Sequence, residues 1–397
     1  MSTAILVVWS DDLLQYDLGE NHPMAPNRLA FTMALARDLG ILARSGVRVA
    51  PPQPVAESVL ELVHTADYVA AVRAAPLQNN VELLASFGLG DGDNPIFEGM
   101  HEASALVVGG TVGAARAVRA GEAQHAVNLA GGLHHAMPSR ASGFCVYNDA
   151  AVAIADLLAD GVGRVAYVDV DAHHGDGVET AFYDDSRVLT ISLHESGYSA
   201  FPGTGFPHHT GTGRAEGTAV NVALPPDTGD AGWLRAFSAV VPPLVNAFEP
   251  EILVTQLGCD SHRLDPLAQL DLSVDAHRMT YALLHELAHE VTSGRWVAVG
   301  GGGYDIVRVV PASWTHLLAE MTGEPLDPRT RPPETWRRLV GQCTGQQAPE
   351  SLTDGVTPEF RPWDAGEGDP DSPLDRAVAA TRRAVFPEHG LDPIDPR

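Results

Sequence analysis

The sequence predicts an α/β fold in which a single parallel sheet lies between helices. Apolar, β-branched segments recur along the chain, and segments with helical i, i+3, i+4 apolar spacing separate them. Most of the apolar segments are continuous and do not alternate with polar residues, which is typical of strands covered on both faces. Alternating strands and helices favour right-handed βαβ units in one sheet.

The individual elements follow from this pattern in chain order. Strands are predicted near Ile5–Trp9, Val47–Ala50, Ala126–Leu129, Arg164–Asp169, Val188–His194, Ala219–Leu224, Ile252–Leu257 and Trp296–Val299. Helices are predicted over Pro26–Ala43, Phe97–Ala120, Asn148–Ala159, Trp233–Phe248 and Val274–Thr292, with a short one over Ala377–Phe386. Pro242 and Pro243 should disturb the helix that contains them, because proline lacks the N–H that a helix needs.

Composition excludes several classes of function. The chain has 397 residues and a formal charge of −26, with arginine as its only permanently basic residue type, so an autonomous nucleic-acid-binding face is not expected. Three cysteines without paired spacing argue against a disulfide framework and favour a reducing compartment. The first residues lack a basic signal-peptide segment, and no apolar segment approaches the ~20 residues that span a bilayer. We therefore expect a cytoplasmic protein that binds neither membrane nor nucleic acid.

Polar residues follow four of the predicted strands where each strand ends. His134-His135 follows the strand near 126–129, Asp171 and His173 follow the one near 164–169, Asp260 follows the one near 252–257, and Gly300–Tyr304 follows the last. Ligands of open α/β sheets bind beyond the carboxyl ends of the strands. The sequence therefore predicts one functional site at this edge.

The spacing of these residues indicates a metal centre. Alternate residues of a strand point the same way, so Asp169, Asp171 and His173 should lie on one side of the strand's end. Asp171, His173 and Asp260 offer two carboxylates and an imidazole, which is a ligand set of catalytic Zn²⁺ with an open position for water. A lone Asp after a strand is more often a helix N-cap. The prediction of a hydrolytic metal site therefore depends on the whole cluster, including His134, His135 and Asp176.

Several motifs carry a resemblance to a known family. They are Gly132-Leu-His-His-Ala136, Gly143-Phe-Cys-Val-Tyr-Asn-Asp149, Asp169–Gly177, Phe201-Pro-Gly-Thr-Gly205, Gln256–Asp260 and Gly300-Gly-Gly-Gly-Tyr304. In order and spacing, from about residue 5 to 339, the chain resembles the zinc-dependent histone deacetylases of the class I kind, and most closely their bacterial acetoin-utilisation branch. The resemblance implies the arginase/deacetylase fold, a single eight-stranded parallel sheet with helices on both faces. Residues 1–340 would form the catalytic domain and residues 341–397 an acidic, Pro/Gly-rich tail.

The resemblance also implies a reaction and its residues. The reaction is hydrolysis of Nε-acetyl-lysine in proteins to lysine and acetate. Asp171, His173 and Asp260 match the zinc ligands, with Fe²⁺ as the alternative metal in vivo. Asp169 would pair with His134 and Asp176 with His135, the latter histidine acting as general base and acid, and Tyr304 would donate a hydrogen bond to the oxyanion.

Other matching positions would bind the substrate and a second cation. Phe144 and Phe201 would wall a narrow channel beside Gly143, and Asp93, with Asp91 as the competitor, would hold the substrate backbone at its rim. Arg28 would line an internal cavity through which acetate leaves. Potassium would lie beside the zinc at Asp169, Asp171, His173, Ser192 and Leu193.

Three alternatives accompany this interpretation. Arginase-like enzymes of the same fold need further carboxylates for two manganese ions, but Gly175 and His262 occupy those positions. Acetylpolyamine amidohydrolases share the whole zinc machinery and differ in the loops around the channel. A binding-only scaffold should have lost Tyr304 or a ligand, and the chain has lost neither. An acetylated protein is the expected substrate partner, with acetyl-CoA synthetase as the family-level candidate, while the oligomeric state is left open.

Overall fold

The sheet has the predicted number of strands and the predicted direction. The computed structural model describes residues 4–363 and 368–395, and within them eight parallel strands form one sheet in the order β2-β1-β3-β8-β7-β4-β5-β6. The strands are β1 Ile5–Val8, β2 Val47–Ala50, β3 His125–Asn128, β4 Val165–Asp169, β5 Val188–Glu195, β6 Ala219–Leu224, β7 Ile252–Gln256 and β8 Trp296–Val299. All eight predicted strands are confirmed to within one residue at each end.

Helices connect the strands and cover the sheet. In the described ranges they are α1 Asn27–Asp38, α2 Glu57–Leu60, α3 Ala66–Ala74, α4 Val81–Ser86, α5 Met100–Arg119, α6 Asp149–Ala159, α7 Asp176–Phe182, α8 Asp230–Phe248, α9 Val274–Thr292, α10 Val310–Met321, α11 Glu334–Thr344 and α12 Pro373–Val385. The five predicted internal helices correspond to α1, α5, α6, α8 and α9. The last helix, α12, begins four residues before its predicted start at Ala377.

Two local expectations differ from the structure. Helix α1 ends at Asp38, because Gly40 takes a left-handed φ of 74° and a short 3-10 turn follows it. Helix α8 continues through Pro242 and Pro243, so the expected disturbance does not end or divide it. The apolar face of α8, which includes Trp233, is buried in the core, and this burial offsets the cost of the prolines.

The register of the central strands brings four loops together. The last residues of β3, β8, β7 and β4 pair in one row: Asn128 with Val299, Val299 with Gln256, and Gln256 with Asp169. The chain therefore leaves four neighbouring strands at the same level. The loops that carry His134, Tyr304, Asp260 and Asp171 all begin on this row.

The C-terminal residues pack against the far edge of the sheet. In α12, the Thr381 hydroxyl donates a hydrogen bond of 2.6 Å to the Asn221 carbonyl oxygen on the edge strand β6. Arg382 is fully buried, with its guanidinium 4.1 Å from the centre of the Phe386 ring. Helix α12 thus covers an edge that would otherwise be free to pair. None of the helices among the described residues has the length and apolarity needed to cross a membrane.

Candidate active site and metal centre

Three buried side chains converge beyond β4 and β7. The Nδ1 atom of His173 lies 2.9 Å from Oδ2 of Asp260 and 3.2 Å from Oδ1 of Asp171. One potential ligand atom from each residue lies within 4.8 Å of the others. The loops after two neighbouring strands therefore deliver two carboxylates and an imidazole to one point, as the sequence predicts for a metal centre.

Backbone N–H groups and one side-chain amide hold both carboxylates in place. Oδ2 of Asp171 accepts hydrogen bonds from the Gly302 N–H at 2.8 Å and the Gln256 side-chain amide at 2.7 Å. Oδ1 of Asp260 accepts one from the Ala172 N–H at 2.7 Å. A side chain at residue 302 would place its Cβ 2.0 Å from Oδ2 of Asp260, so only glycine fits there. These contacts fix the ligand oxygens before any ion arrives.

The electrostatics of this cluster fit a divalent cation. Burial and the nearby Asp171 charge raise the pKa of Asp260 to about 6. Two ionised carboxylates in a buried site repel each other unless a positive charge lies between them. A set of two carboxylates and one imidazole matches the catalytic sites of Zn²⁺ and related ions.

A pair of histidines lies beside this cluster, and each ring is held by its own carboxylate. Nδ1 of His134 lies 2.8 Å from Oδ2 of Asp169, and Nδ1 of His135 lies 2.7 Å from Oδ1 of Asp176. An ionised carboxylate only accepts hydrogen bonds, so each Nδ1 carries a proton. The two Nε2 atoms face each other at 3.0 Å.

The two rings differ in their affinity for protons. Burial acts to lower the pKa of His134, but the Asp169 and Asp171 charges outweigh it and raise that pKa to about 9. Burial and the neighbouring His134 charge lower the pKa of His135 to about 4. His134 therefore holds a second proton more tightly than His135 does, and the Nε2 lone pair of His135 accepts the hydrogen bond from the Nε2–H of His134.

A narrow cavity of about 200 Å³ leads from the surface to these groups. It is lined by Asp93, His135, Gly143, Phe144, His173, Phe201, Leu267 and Tyr304. Phe201 is 45% exposed and so lies at the mouth. A Cβ at residue 143 would lie 2.6 Å from the His135 ring and 2.8 Å from the Phe201 ring, so glycine is required for the wall to close.

The geometry of the loop distinguishes Asp91 from Asp93 at the rim of the cavity. Oδ1 of Asp91 accepts hydrogen bonds from the N–H groups of Asp93 and Asn94, at 3.0 and 2.7 Å, and Asp91 therefore stabilises the loop itself. Asp93 is exposed and lines the cavity. Of the two aspartates considered from the sequence, the structure places Asp93 at the channel.

Tyr304 lines the cavity beside the metal cluster. Its N–H donates a hydrogen bond of 2.8 Å to Oδ2 of Asp265, which fixes the backbone after the glycine run. Burial and the nearby Asp260 and Asp171 charges raise the pKa of the phenol well above its ordinary value. The Tyr304 hydroxyl therefore stays protonated and can act as a hydrogen-bond donor.

The remaining sequence-selected residues lie behind the site. Arg28 is buried and donates a hydrogen bond of 2.6 Å to the Gly301 carbonyl oxygen, so it supports the glycine run from below. Ser192 pairs in register with Asp169 across β4 and β5, and its hydroxyl lies 2.9 Å from Nδ1 of His194. Leu193, the next residue of β5, is fully buried.

Three residues of the site were not assigned a role from the sequence. Gln256 binds Asp171, and its place in the motif Gln256–Asp260 was the signal that could have identified it. Asp265 and Leu267 lie in an irregular loop after β7, where no periodicity singles them out. Burial and the nearby Asp260 charge raise the pKa of Asp265 to about 8.

The structure also bears on the two-metal alternative. His262 occupies the position where an arginase-like site needs a carboxylate, and its Nε2 donates to Oδ2 of Asp354 at 2.9 Å. Gly175 at the other required position offers no side chain. The described residues therefore provide one carboxylate-containing metal centre with a single set of ligands.

The fold and the site together define a deacetylase, a hydrolase of the metal-dependent kind. The family described as histone deacetylase domain matches residues 22–321, and the chain belongs to this family.

Curated relatives agree with this assignment. The acetoin utilization protein AcuC of Bacillus subtilis (strain 168) is 42% identical over 330 residues, which cover 83% of this chain and 84% of that protein. The protein of the same name from Staphylococcus aureus (strain MSSA476) is 36% identical over 357 residues, covering 89% and 91%. That of Staphylococcus xylosus is 36% identical over 332 residues, covering 83% and 85%. The predicted family and its acetoin-utilisation branch are thereby confirmed.

Proposed function

We propose that the protein hydrolyses Nε-acetyl-lysine in proteins or peptides to lysine and acetate. The observation that carries this proposal is the cavity with aromatic walls, whose lining includes His135, His173 and Tyr304. An acetylated lysine has a long apolar stem and a neutral amide at its tip, so it suits such a channel. Asp93 at the rim would accept hydrogen bonds from the backbone N–H groups of the substrate.

The proposed cofactor is one Zn²⁺ ion held by Asp171, His173 and Asp260, with Fe²⁺ as the alternative in vivo. A bound divalent ion polarises the amide carbonyl and lowers the pKa of water toward about 7. We further propose K⁺ beside it at Asp169, Asp171, His173, Ser192 and Leu193, where oxygen ligands would suit a hard cation.

His135 would transfer the protons of the reaction. Its Nε2 would give up the hydrogen bond from His134 and accept a proton from the attacking water, and the same nitrogen would then return a proton to the leaving amine. Asp176 fixes the tautomer through Nδ1 at 2.7 Å. The positive charge of the His134 ring, which pairs with Asp169, would stabilise the negative charge that develops on the carbonyl oxygen of the substrate.

Tyr304 would donate a hydrogen bond to that oxygen. The phenol stays protonated because burial and the surrounding carboxylates disfavour its ionised form. A donor that is already in place costs no reorganisation when the charge develops, and one such bond contributes about 10²–10³ in rate.

The proposal extends to the setting of the enzyme. We propose a catalytic domain over residues 1–340, followed by a C-terminal segment over residues 341–397, and a cytoplasmic location. Acetyl-CoA synthetase is the proposed substrate protein, since lysine acetylation can block such enzymes. Three of the similar proteins are named for acetoin utilization.

The test compares two classes of substrate on one preparation of the full chain. We would measure kcat/KM for an Nε-acetyl-lysine peptide and for N-acetylputrescine, with Tyr304→Phe as the inactive reference. A clear preference for the peptide supports the proposal. A strong preference for the polyamine would instead identify an acetylpolyamine amidohydrolase with the same machinery.

A further inference from the structure

A cluster of three histidines lies at the end of the sheet opposite the active site. His125 is the first residue of β3, whereas the catalytic histidines follow the last residue of that strand. His285 and His289 lie one turn apart on α9. Nε2 of His285 is 3.1 Å from Nε2 of His125 and 3.1 Å from Nε2 of His289.

The spacing of these ring nitrogens is that of metal ligands. A tetrahedral ion with Zn–N bonds of about 2.0–2.1 Å separates its ligand nitrogens by about 3.3–3.4 Å. The i, i+4 spacing of His285 and His289 places both imidazoles on one face of α9. Two of the three nitrogen–nitrogen distances are thus close to this value, and one potential ligand atom of each ring lies within 4.8 Å of the others.

Hydrogen bonding among the three rings is incomplete without a cation. Nδ1 of His285 faces Oε1 of Glu320 at 3.2 Å, and it must carry a proton because the carboxylate only accepts. When His285 is neutral, its Nε2 offers one lone pair to two imidazoles. A central cation would instead use the lone pairs of all three rings. A carboxylate behind a metal-bound histidine, as Glu320 is here, is the usual second contact of such ligands.

Access to the cluster also suits an ion. His125 is fully buried, His285 is partly buried and His289 is exposed. The buried Trp296 ring stacks on His285 at 5.7 Å and meets His125 edge-on at 5.6 Å. The cluster therefore has an apolar wall behind it and an opening to solvent in front.

We propose that His125, His285 and His289 form a second metal site that binds one divalent transition-metal ion. Three imidazoles select Zn²⁺, Ni²⁺ or Cu²⁺ over Mg²⁺ and Ca²⁺, which prefer oxygen ligands. A water molecule would occupy the remaining position. Because the ligands come from β3 and α9, the ion ties this helix to the sheet and stabilises the fold.

Metal stoichiometry of the full chain tests the site. Protein stripped with a chelator would be titrated with Zn²⁺ against a competing indicator dye. We expect two equivalents for the wild type and one for Asp260→Asn, which removes a ligand of the active site. His289→Ala should lose the other equivalent or bind it at least tenfold more weakly, and it should keep deacetylase activity. The exposed His208, which also has a histidine neighbour, gives the matched control His208→Ala with two equivalents.

Two further variants exclude weaker explanations. His125→Asn should weaken the second equivalent as His289→Ala does, since the buried ring completes the site. An unchanged second equivalent in His125→Asn would show that only the exposed helix pair binds metal, and would overturn the proposal. So would an Asp260→Asn variant that binds none, or an equal metal content in the wild type and His289→Ala. These results are independent of which substrate the active site prefers.

Fluorescence gives a local readout of the same site. Cu²⁺ at the three histidines should quench Trp296, because the indole ring contacts two of them. The quenching should be absent in Trp296→Phe and in His289→Ala. Equal quenching in all three proteins would place the ion elsewhere and contradict the assignment.

Discussion

The Nε2 atoms of His134 and His135 face each other at 3.0 Å, while a carboxylate holds the opposite nitrogen of each ring. This contact has room for one proton, and the surroundings decide which ring keeps it. The pKa of His134 is raised to about 9 and that of His135 is lowered to about 4. The pair therefore behaves as one charged ring that keeps its neighbour neutral.

Replacing the two histidines should give different kinetics. His135→Ala removes the proton acceptor and should lower kcat by about 10²–10⁴. His134→Ala should cost less, but it removes the charge that lowers the pKa of His135. A base must be deprotonated to act, so the acid limb of the kcat/KM–pH profile, set by His135 near pH 4 in the wild type, should move to higher pH. A limb that stays in place or moves lower would contradict the assigned division between the rings.

Tyr304→Phe should separate catalysis from binding. The change removes one hydrogen-bond donor to the developing oxyanion and leaves the channel wall almost unaltered, so kcat should fall about 10²–10³-fold with little change in KM. Steady-state kinetics on an acetyl-lysine peptide checks this. Tyr198, which is 89% exposed, provides the control Tyr198→Phe with wild-type kinetics. A fall in both variants would point to a general loss of structure.

Local sequence patterns predict much of this fold. Strands such as β4 and β7 are mostly apolar segments whose side chains are all buried. A continuous apolar segment is typical of a strand covered on both faces of the sheet, so these strands can be located from the sequence. The end of α1 at a left-handed Gly40 and the passage of α8 through two prolines depend on backbone conformation and tertiary packing. Hydrophobic periodicity does not report backbone conformation or tertiary packing, so it could not predict either feature.

Part of the site could also be predicted from the sequence, and part could not. Asp171, His173 and Asp260 follow strand ends, and the carboxyl ends of parallel strands lie at one edge of the sheet, so their proximity was predictable. Leu267 and Asp265 come from an irregular loop whose path is set by contacts such as the hydrogen bond from the Tyr304 N–H. The cluster of His125, His285 and His289 joins residues that are distant in sequence through the position of α9, which sequence spacing does not reveal.

Asp260→Asn should remove the active-site ion while preserving the fold. The amide keeps an oxygen that can accept the hydrogen bond from the Ala172 N–H, but it lacks the charge that binds a cation. A ligand at 100 times its Kd stabilises a protein by about 2.7 kcal/mol, so the wild type should show a higher Tm when this site is filled. Asp260→Asn should bind one equivalent fewer, lose this gain and lose activity. The exposed Asp227 gives the control Asp227→Asn, and equal metal content in both variants would refute the ligand assignment.

Asp354→Asn should weaken the protein in a pH-dependent way. Oδ2 of Asp354 accepts hydrogen bonds from His262 Nε2 at 2.9 Å and from the Val274 N–H at 2.8 Å, so it joins the C-terminal segment to the loop after β7. Burial would raise the pKa of Asp354, but these contacts and the nearby Arg263 outweigh it and lower the pKa to about 2.

A carboxyl with a lowered pKa contributes stability when it is ionised in both states, which for Asp354 holds above about pH 4, its unfolded value. The contribution is lost as pH falls from about 4 through about 2. After allowance for solvent screening of this partly exposed group, the loss in Asp354→Asn should be about 1–2 kcal/mol at pH 7 and clearly smaller at pH 3. Urea unfolding at both pH values measures it, with exposed Asp371→Asn as the control. A destabilisation that is the same at pH 7 and pH 3 would mean that packing, and not the charge of Asp354, holds this segment.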